Sequence, residues 1–344
     1  MNRVPLSCVR HAGVALGLAV ATASSASASL TFTNYTGNGL GSNIVLGVYE
    51  SGGTIYAATS GGLSISSNPG TSWINRTATD GLGNTTVSDV FAIGSTVYAA
   101  TNGGLSISTN GGASFTNYTS SNWGAGPSGV FSVSVSGTTV YGGGNGGGVI
   151  IGSNNGASWT QTLFGGLGST VVSQVYASGS TVYAATTYGL GISTNGGATF
   201  NNRLNSNSGL ASNSVSDVYA IGSTVYAATA SGLSISTNGG GTFTTNPGIS
   251  NNQVNAVYAI NGTIYVGTQN GLSVSSDGGV NWTNYTTSNS GLGSNSIYGI
   301  FATSTAVYVA TAGGVSIASI SAVPGAGLAG LAGAGMVASW RRRR

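Results

Sequence analysis

A tyrosine-containing phrase returns along this chain at a nearly constant spacing, and this repeat constrains the fold more than any other feature. The tyrosines that mark the phrase are Tyr56, Tyr98, Tyr141, Tyr183, Tyr226, Tyr265 and Tyr308. Successive tyrosines lie 42, 43, 42, 43, 39 and 43 residues apart. A period of this length, made of short β-type runs separated by Gly and Asn, is typical of propeller blades. Seven phrases therefore predict an all-β, seven-bladed β-propeller.

One period contains four strand signals. Residues 214–220 alternate apolar and polar side chains, and residues 224–228, 233–236 and 242–244 follow as shorter runs. Asn238 and Gly239 mark the last turn, because both residue types tolerate positive φ. The alanine pair Ala99 and Ala100 recurs in most periods and suits a strand packed closely between neighbouring blades.

The two ends of the repeat region complement each other. The last period ends after residues 314–317 and lacks an outer strand, whereas residues 30–36 copy the outer-strand sequence of residues 114–119. We predict that this N-terminal segment closes the last blade, which removes an exposed sheet edge. The alternative fold is a parallel β-helix, but its coils run near half this period and give no role to complementary ends.

Charge is scarce and unevenly placed. Charged residues make up 4% of the chain, and hydrophobic residues make up 40%, enough for a packed core. Six of the eight arginines lie near the termini, so residues 29–319 carry a net charge of −3. A weakly acidic body with two cations excludes nucleic acid as a partner.

The N-terminus predicts export. Arg3 and Arg10 precede a short apolar run that ends in a small-residue site at Ala28. This order is typical of a secretory signal peptide, which we assign to residues 1–28 and which would engage the export machinery. Cys8 and His11 both lie within it, so the mature chain would contain neither residue type.

The C-terminal segment, residues 321–344, has the features of a sorting tail. Val323 and Pro324 are followed by about sixteen Gly-, Ala- and Leu-rich residues, which predict a short membrane helix. The segment ends in a cluster of four arginines: Arg341, Arg342, Arg343 and Arg344. This arrangement resembles the PEP-CTERM tails of bacteria, although Gly325 stands where that motif usually has Glu. The resemblance implies processing by an exosortase-like enzyme and delivery to the cell surface or extracellular matrix, after a transient or permanent stay in the inner membrane.

Six periods contain an S-x-[ND]-x-G-x-[ST]-[FW] motif or a close variant, such as residues 108–115. This motif resembles the Asp-box, or BNR, repeat of sialidases, and the preceding phrase resembles the propeller repeats of two-component regulators. The resemblance implies structural turns away from any catalytic face. The turn residues are Asn68, Asn110, Asn154, Asn195, Asn238 and Asp277.

The sequence argues against catalysis. Sialidase chemistry, as the resemblance implies it, requires three arginines and a glutamate beside a tyrosine, but residues 29–319 contain two arginines and one glutamate. No His or Cys is present in the mature chain to serve as a base or zinc ligand, so we predict no catalytic residue, metal or cofactor. Glu50, Asp89 and Asp217 satisfy a glycosidase only in number, because Asp89 and Asp217 hold equivalent places in two periods. The glycine run at residues 142–148 has no lysine and predicts an irregular turn instead of a phosphate site.

Ligand-contact candidates are few. Trp123 lies in the longest irregular connection, and Arg76 and Arg203 are the only cations of the body. Each has a bland alternative: Trp123 as a packing residue, the arginines as solubilising surface. We therefore predict an exported propeller with a non-catalytic binding or structural role, in which exopolysaccharide is a candidate partner. A protein-binding sensor or envelope assembly module is the alternative, and a glycan-cleaving enzyme is a distant third.

Overall fold

The structure, a computed structural model, describes residues 29–124 and 129–320. Within these ranges, 28 strands form seven four-stranded antiparallel sheets. The innermost strand of each sheet contacts the innermost strands of the two adjacent sheets, so the sheets close into a ring around a central channel. The predicted all-β, seven-bladed propeller is confirmed.

Strands are numbered in chain order, and each blade is described from its inner to its outer strand. Blade one contains β2 (Val45–Ser51), β3 (Thr54–Thr59), β4 (Gly62–Ser66) and β5 (Ile74–Arg76). Blade two contains β6 (Val87–Ile93), β7 (Thr96–Thr101), β8 (Gly104–Ser108) and β9 (Thr116–Tyr118). Blade three contains β10 (Val130–Ser136), β11 (Thr139–Gly144), β12 (Val149–Ser153) and β13 (Ser158–Thr162). Blade four contains β14 (Val172–Ser178), β15 (Thr181–Thr186), β16 (Gly189–Ser193) and β17 (Asn201–Arg203).

The remaining blades follow the same order. Blade five contains β18 (Val215–Ile221), β19 (Thr224–Thr229), β20 (Gly232–Ser236) and β21 (Thr244–Asn246). Blade six contains β22 (Val254–Ile260), β23 (Thr263–Thr268), β24 (Gly271–Ser275) and β25 (Thr283–Tyr285). Blade seven contains β26 (Ile297–Ala302), β27 (Ala306–Thr311), β28 (Gly314–Ser319) and, as its outer strand, β1 (Thr33–Tyr35).

The N-terminal strand closes blade seven as predicted. Strand β1 pairs antiparallel with β28, with Asn34 opposite Ser316. The Asn34 side chain accepts a hydrogen bond from the Ser316 hydroxyl at 3.0 Å and donates one to the carbonyl of Gly313 at 2.8 Å. Phe32 is buried, and its N–H bonds the carbonyl of Ser290 at 2.7 Å. The first and last segments of the repeat region are thereby joined.

The hydrophobic core lies between the blades. Each of seven clusters joins the middle strands of one blade to the inner strands of the next. The alanine pairs lie at these interfaces, and Ala99 and Ala100 are fully buried. Blade three differs, because the first three glycines of the run at 142–148 finish strand β11 and only the rest form a turn. A Cβ atom on Gly143 would lie 2.6 Å from Val172, so even alanine does not fit there.

Short helical turns occupy several connections. They are the α-helical turns Ser120–Trp123, Asn205–Ser208 and Thr287–Ser290 and the 3-10 turns Ala78–Asp80 and Asn154–Gly156. No helix in the part of the chain that the structure describes has the length and apolarity to cross a bilayer. The predicted signal peptide (1–28) and sorting tail (321–344), with Val323, Pro324 and the four terminal arginines, lie outside the described residues.

Candidate functional site

The seven inner strands position the side chains that line the central channel. Each inner strand has a β-bulge between its first and third residues, as between Val45 and Gly47 in β2. A bulge bends the strand and redirects the side chains that follow it. Seven half-buried residues line the channel from the second place of the strands: Leu46, Ser88, Phe131, Ser173, Ser216, Asn255 and Tyr298.

The fifth residue of six inner strands is aromatic. These residues, here called the aromatic collar, are Tyr49, Phe91, Tyr176, Tyr219, Tyr258 and Phe301. Neighbouring rings touch in a continuous series from Tyr176 through Tyr219, Tyr258, Phe301 and Tyr49 to Phe91, with centroids 4.5–5.3 Å apart. The tilted geometry of these pairs is one that aromatic rings favour. The collar therefore surrounds the channel except at blade three.

Blade three interrupts the collar because its fifth residue is Ser134. The Ser134 hydroxyl accepts a hydrogen bond from the N–H of Ala177 at 3.1 Å. A cavity of about 340 Å³ lies in the channel beside it, lined by residues 133–135 of blade three and 174–177 of blade four as well as by the collar. The sixth residue of the inner strand lines this cavity only in these two blades, as Val135 and Ala177. The cavity is therefore displaced toward the missing ring.

Tyrosine hydroxyl groups converge inside the collar. The hydroxyl groups of Tyr176 and Tyr219 interact with each other, and those of Tyr219 and Tyr258 interact in the same way. Burial raises the pKa of Tyr49 to about 12, and the nearby Tyr219 and Glu50 add to this effect. Burial likewise raises the pKa of Tyr176, Tyr219 and Tyr258. All four phenols stay neutral near pH 7 and are available as hydrogen-bond donors and acceptors.

Two carboxyl groups lie in the channel next to the collar. Asp89 accepts hydrogen bonds from the N–H groups of Val90 at 2.8 Å and of Val133, in the next blade, at 3.0 Å. Asp217 accepts from Val218 at 2.7 Å and from Val257, again in the next blade, at 2.8 Å. Each carboxylate thus connects two adjacent inner strands. The position that Asp89 and Asp217 share in the repeat therefore serves hydrogen bonding between adjacent blades.

Burial governs the titration of these two carboxyl groups. Desolvation raises the pKa of Asp89 to about 7, although the N–H groups of Val133 and Val90 oppose the shift. Desolvation raises the pKa of Asp217 to about 6, opposed in the same way by Val257 and Val218. Both side chains are half-buried, because they face the channel while lying deep in the protein. A second cavity of about 180 Å³ lies on the other side of this layer and shares Asp89 and Asp217 with the first.

Gln174 occupies the equivalent place in blade four. Its side chain lines both cavities and has no hydrogen-bond partner among the described residues. No basic side chain is among the residues that line either cavity. The channel can therefore offer aromatic surfaces, neutral hydroxyls and a free amide, but no counter-charge for an anion.

The turn residues that resemble an Asp-box act within their own turns. In blade two, the Ser108 hydroxyl donates to Asn110 Oδ1 at 2.8 Å and accepts from the N–H of Gly112 at 2.9 Å. Asn110 also accepts from the N–H of Ser114 at 3.0 Å and donates to its hydroxyl at 2.9 Å. Equivalent bonds are made by Asn68, Asn195, Asn238 and Asp277. Bonds from Asn281 and Ser275 lower the pKa of Asp277 to about 2.

The corresponding turn of blade three has a different geometry. Asn154 and Asn155 adopt positive φ in a 3-10 turn, and the hydroxyl groups of Ser153 and Ser158 bond each other at 2.5 Å. This departure follows from Gly152, which stands where the other turns have their leading serine.

The three ligand-contact candidates from the sequence do not come together. Trp123 is 6% exposed and packs its ring against Trp159, with centroids 5.8 Å apart, in the core between blades two and three. Arg76 ends the outer strand of blade one and pairs with Asp80 at 3.3 Å. Arg203 holds the same place in blade four. None of the three lines the channel cavities, so a ligand role for them stays a prediction without a shared site.

Sequence reasoning did not identify the collar. The signal was present, because the fifth residue of each inner strand is aromatic in six of seven blades. The alternation of apolar and polar residues does not by itself show which side chains face the channel, because the β-bulge in each inner strand shifts that alternation. No group of three or more His, Cys, Asp or Glu residues capable of holding a metal ion occurs within residues 29–124 and 129–320.

Comparisons with known proteins identify the fold. No protein-family model matches the chain, and no curated protein matches it either. The extracellular domain of a hybrid two-component system from B. thetaiotaomicron is a similar solved structure, with a TM-score of 0.68 and 17% identity. The match covers 84% of this chain and 42% of that one, so this chain spans less than half of that relative.

Two further solved structures extend the comparison. YCF48 from Cyanidioschyzon merolae has a TM-score of 0.63 and 15% identity over 84% of this chain and 98% of its own; YCF48 has also been solved with a bound D1 peptide. The GH74 enzyme of Niastella koreensis has a TM-score of 0.57 and 22% identity over 80% of this chain and 43% of its own. At these identities the likeness shows a shared propeller fold and no more.

Proposed function

We propose that this protein is an exported, non-catalytic binding propeller and that its ligand is an uncharged glycan held in the central channel. The observation that carries the proposal is the aromatic collar beside a cavity of about 340 Å³, a volume within the usual range for ligand sites. Aromatic faces stack on the apolar faces of sugar rings, and neutral hydroxyls bond sugar hydroxyls. The channel has both groups in one place.

A binding role without catalysis is supported by the state of the acidic residues. Both oxygens of Asp89 and of Asp217 accept backbone N–H groups, and Glu50 accepts the N–H of Gly53 at 2.6 Å. A glycosidase needs two carboxyl groups that face the same scissile bond, one as acid and one as base or nucleophile. Carboxylates engaged in holding inner strands together are poorly placed for that work. The glycan-cleaving alternative therefore ranks last.

The location proposed for the protein follows from its two ends. Residues 1–28 are proposed to direct export, and residues 321–344 are proposed to be recognised by an exosortase-like enzyme that releases the propeller to the cell surface or matrix. The likeness to an extracellular domain of a two-component system is compatible with this location. Intact mass and cell fraction of the native protein test it: a chain still containing Arg344 in the inner membrane would identify the tail as a permanent anchor.

A protein-binding sensor or assembly role is the second candidate. Ile93 and Ile221 end the inner strands of blades two and five, two residues beyond the collar, and are 55% and 47% exposed. Exposed apolar side chains around a channel mouth suit a protein surface better than a sugar. This candidate predicts that a partner protein co-purifies with the full chain and is lost in an Ile93→Ser, Ile221→Ser double variant.

The glycan proposal is tested by calorimetry with a panel of neutral and anionic oligosaccharides. We expect a neutral oligosaccharide to bind with a Kd between about 1 μM and 1 mM, and anionic ones not to bind. Tyr219→Leu, which removes one ring of the collar, should weaken binding, whereas Tyr188→Leu, which removes an exposed tyrosine remote from the cavity lining, should not. Failure of every neutral glycan, or equal binding by Tyr219→Leu, would refute the proposal.

A further inference from the structure

The collar has seven positions and only six rings. Tyr49, Tyr219, Tyr258 and Phe301 each contact a collar ring on both sides. Phe91 and Tyr176, at the two ends of the series, each contact a collar ring on one side only. Their other sides meet the position of Ser134, where the cavity lies.

We propose that the ligand supplies the seventh ring: one pyranose ring of an uncharged glycan inserts between Phe91 and Tyr176, against Ser134. This inference rests on the proposed function and specifies its site. The space at Ser134, bounded by Phe91, Tyr176, Val135 and Ala177, is here called the blade-three pocket.

The dimensions of the collar favour a ring-shaped occupant. Adjacent rings in the collar lie 4.5–5.3 Å apart, and one collar position, that of Ser134, stands between Phe91 and Tyr176. A gap of that kind accepts one ring between two aromatic surfaces, as the positions of Tyr49, Tyr219, Tyr258 and Phe301 do. A linear apolar group would contact only part of both surfaces.

The polar groups around the blade-three pocket favour a sugar over an aromatic side chain. The Gln174 amide lines the cavity without a hydrogen-bond partner, and it can both donate to and accept from sugar hydroxyls. Tyr176 also lines the cavity, and its neutral hydroxyl can both donate to and accept from sugar hydroxyls. An aromatic ring in this pocket would cover Gln174 without bonding it, and a polar group that is buried unpaired is costly.

Charge narrows the ligand class further. Asp89 and Asp217 lie in the cavity lining, and no basic residue accompanies them there. A carboxylate or sulfate on the sugar would therefore find no cation there, and it would meet like charge wherever these carboxyl groups are ionised. We expect neutral hexoses to be accepted and uronic acids to be rejected.

The experiment fills the blade-three pocket with a side chain of the protein itself. Ser134→Tyr places a tyrosine at the one collar position that lacks a ring, and Thr116→Tyr places the same side chain on the exposed outer strand of blade two as a matched control. The full chain and both variants are titrated by calorimetry with the neutral hexasaccharides of cellulose, laminarin, mannan and amylose. Tyrosine near-UV circular dichroism is recorded in parallel, because no tryptophan lines the cavity.

The expected result is that the glycan bound by the full chain is bound equally by Thr116→Tyr and at least about tenfold more weakly by Ser134→Tyr. The near-UV circular dichroism of tyrosine should change on addition of the glycan in the full chain and in Thr116→Tyr, but not in Ser134→Tyr. Unchanged glycan binding by Ser134→Tyr would overturn this inference while leaving the proposed function intact.

Two further outcomes are decisive. In the first, no hexasaccharide binds the full chain, N-acetyltyrosine amide does bind, and Ser134→Tyr abolishes the binding of N-acetyltyrosine amide. The seventh ring would then be an aromatic side chain, and both the sugar site and the proposed function would be refuted. If Ser134→Tyr does not fold, Phe91→Leu and Gln174→Ala replace it. Glycan binding unaltered in both of those variants would overturn the inference.

Discussion

Closure of blade seven by the N-terminal strand can be measured at a single side chain. Phe32 is 5% exposed and packs edge-on against Tyr285 of blade six at 6.4 Å. Phe243 holds the same place in blade five, is 6% exposed, and directly precedes β21 within the continuous chain. The backbone N–H of each residue bonds the carbonyl of a preceding helical turn, at Ser290 and Ser208 respectively, over 2.7 Å. The two phenylalanines are therefore matched in burial and in this backbone hydrogen bond.

We expect Phe32→Ala and Phe243→Ala to lower the free energy of unfolding by similar amounts. Truncation of a buried phenylalanine removes its transfer free energy and leaves a cavity, which costs about 3–5 kcal/mol. Urea unfolding of the full chain, followed by far-UV circular dichroism and by tryptophan fluorescence, measures both changes. Agreement of the two probes is needed, because a repeat array can unfold in stages.

The comparison has a clear contrary outcome. A loss of less than about 0.5 kcal/mol for Phe32→Ala, beside about 3 kcal/mol or more for Phe243→Ala, would mean that the N-terminal strand is not docked in solution. Deletion of residues 29–36 extends the test, because it exposes the edge of β28 to other chains. The deletion should lower thermal stability and promote association, and unchanged melting with a clean monomer would contradict closure.

Two other predictions concern the carboxyl groups and the turns. Burial raises the pKa of Asp89 to about 7 in the folded protein, above its ordinary value. The stability that the protonated carboxyl group contributes is therefore complete below pH 4 and is lost as the pH rises through 7. The free energy of unfolding should fall by roughly 2–4 kcal/mol across that range. In urea titrations at several pH values, Asp89→Asn should flatten the dependence of the unfolding free energy on pH. Asp277→Asn should not flatten it, because the pKa of Asp277 is about 2 and its titration affects stability only below pH 4. Asn110→Ala removes bonds to Ser108 and Ser114 and should cost about 1–2 kcal/mol in thermal unfolding, against less than about 0.5 for the neighbouring Thr109→Ala; equal effects would contradict a turn-forming role.

The fold could be predicted from the sequence because its determinants are local and repeated. The tyrosine period, the turn at Asn238 and Gly239, and the copied outer strand at residues 30–36 each state one feature of a blade. Closure of blade seven could be predicted because the last period lacks an outer strand and residues 30–36 supply an outer-strand sequence. These signals need no knowledge of contacts between distant residues.

The channel could not be predicted in the same way. The collar depends on which side of each inner strand faces inward, and a β-bulge changes that after the first residue. Its ring contacts join residues one whole period apart, such as Tyr49 and Phe91. Trp123 illustrates the same limit, because its burial depends on Trp159 in the next blade, and a sequence shows only that it stands outside the repeat.

Departures from the repeat collect in blade three, and this suggests a trade between stability and binding. Blade three replaces the collar aromatic by Ser134, the alanine pair by Gly142 and Gly143, and the leading serine of the turn by Gly152. Ser134→Tyr should restore two collar contacts and fill part of the cavity, at the loss of the bond to the Ala177 N–H. Aromatic contacts contribute about 0.5–1.5 kcal/mol each and the lost bond costs about 1 kcal/mol, so we expect a net gain near 1 kcal/mol in unfolding free energy. A variant that is more stable yet unable to bind would show that the empty position is kept for function. A variant destabilised by more than about 1 kcal/mol would show instead that packing against Ala177 requires serine there.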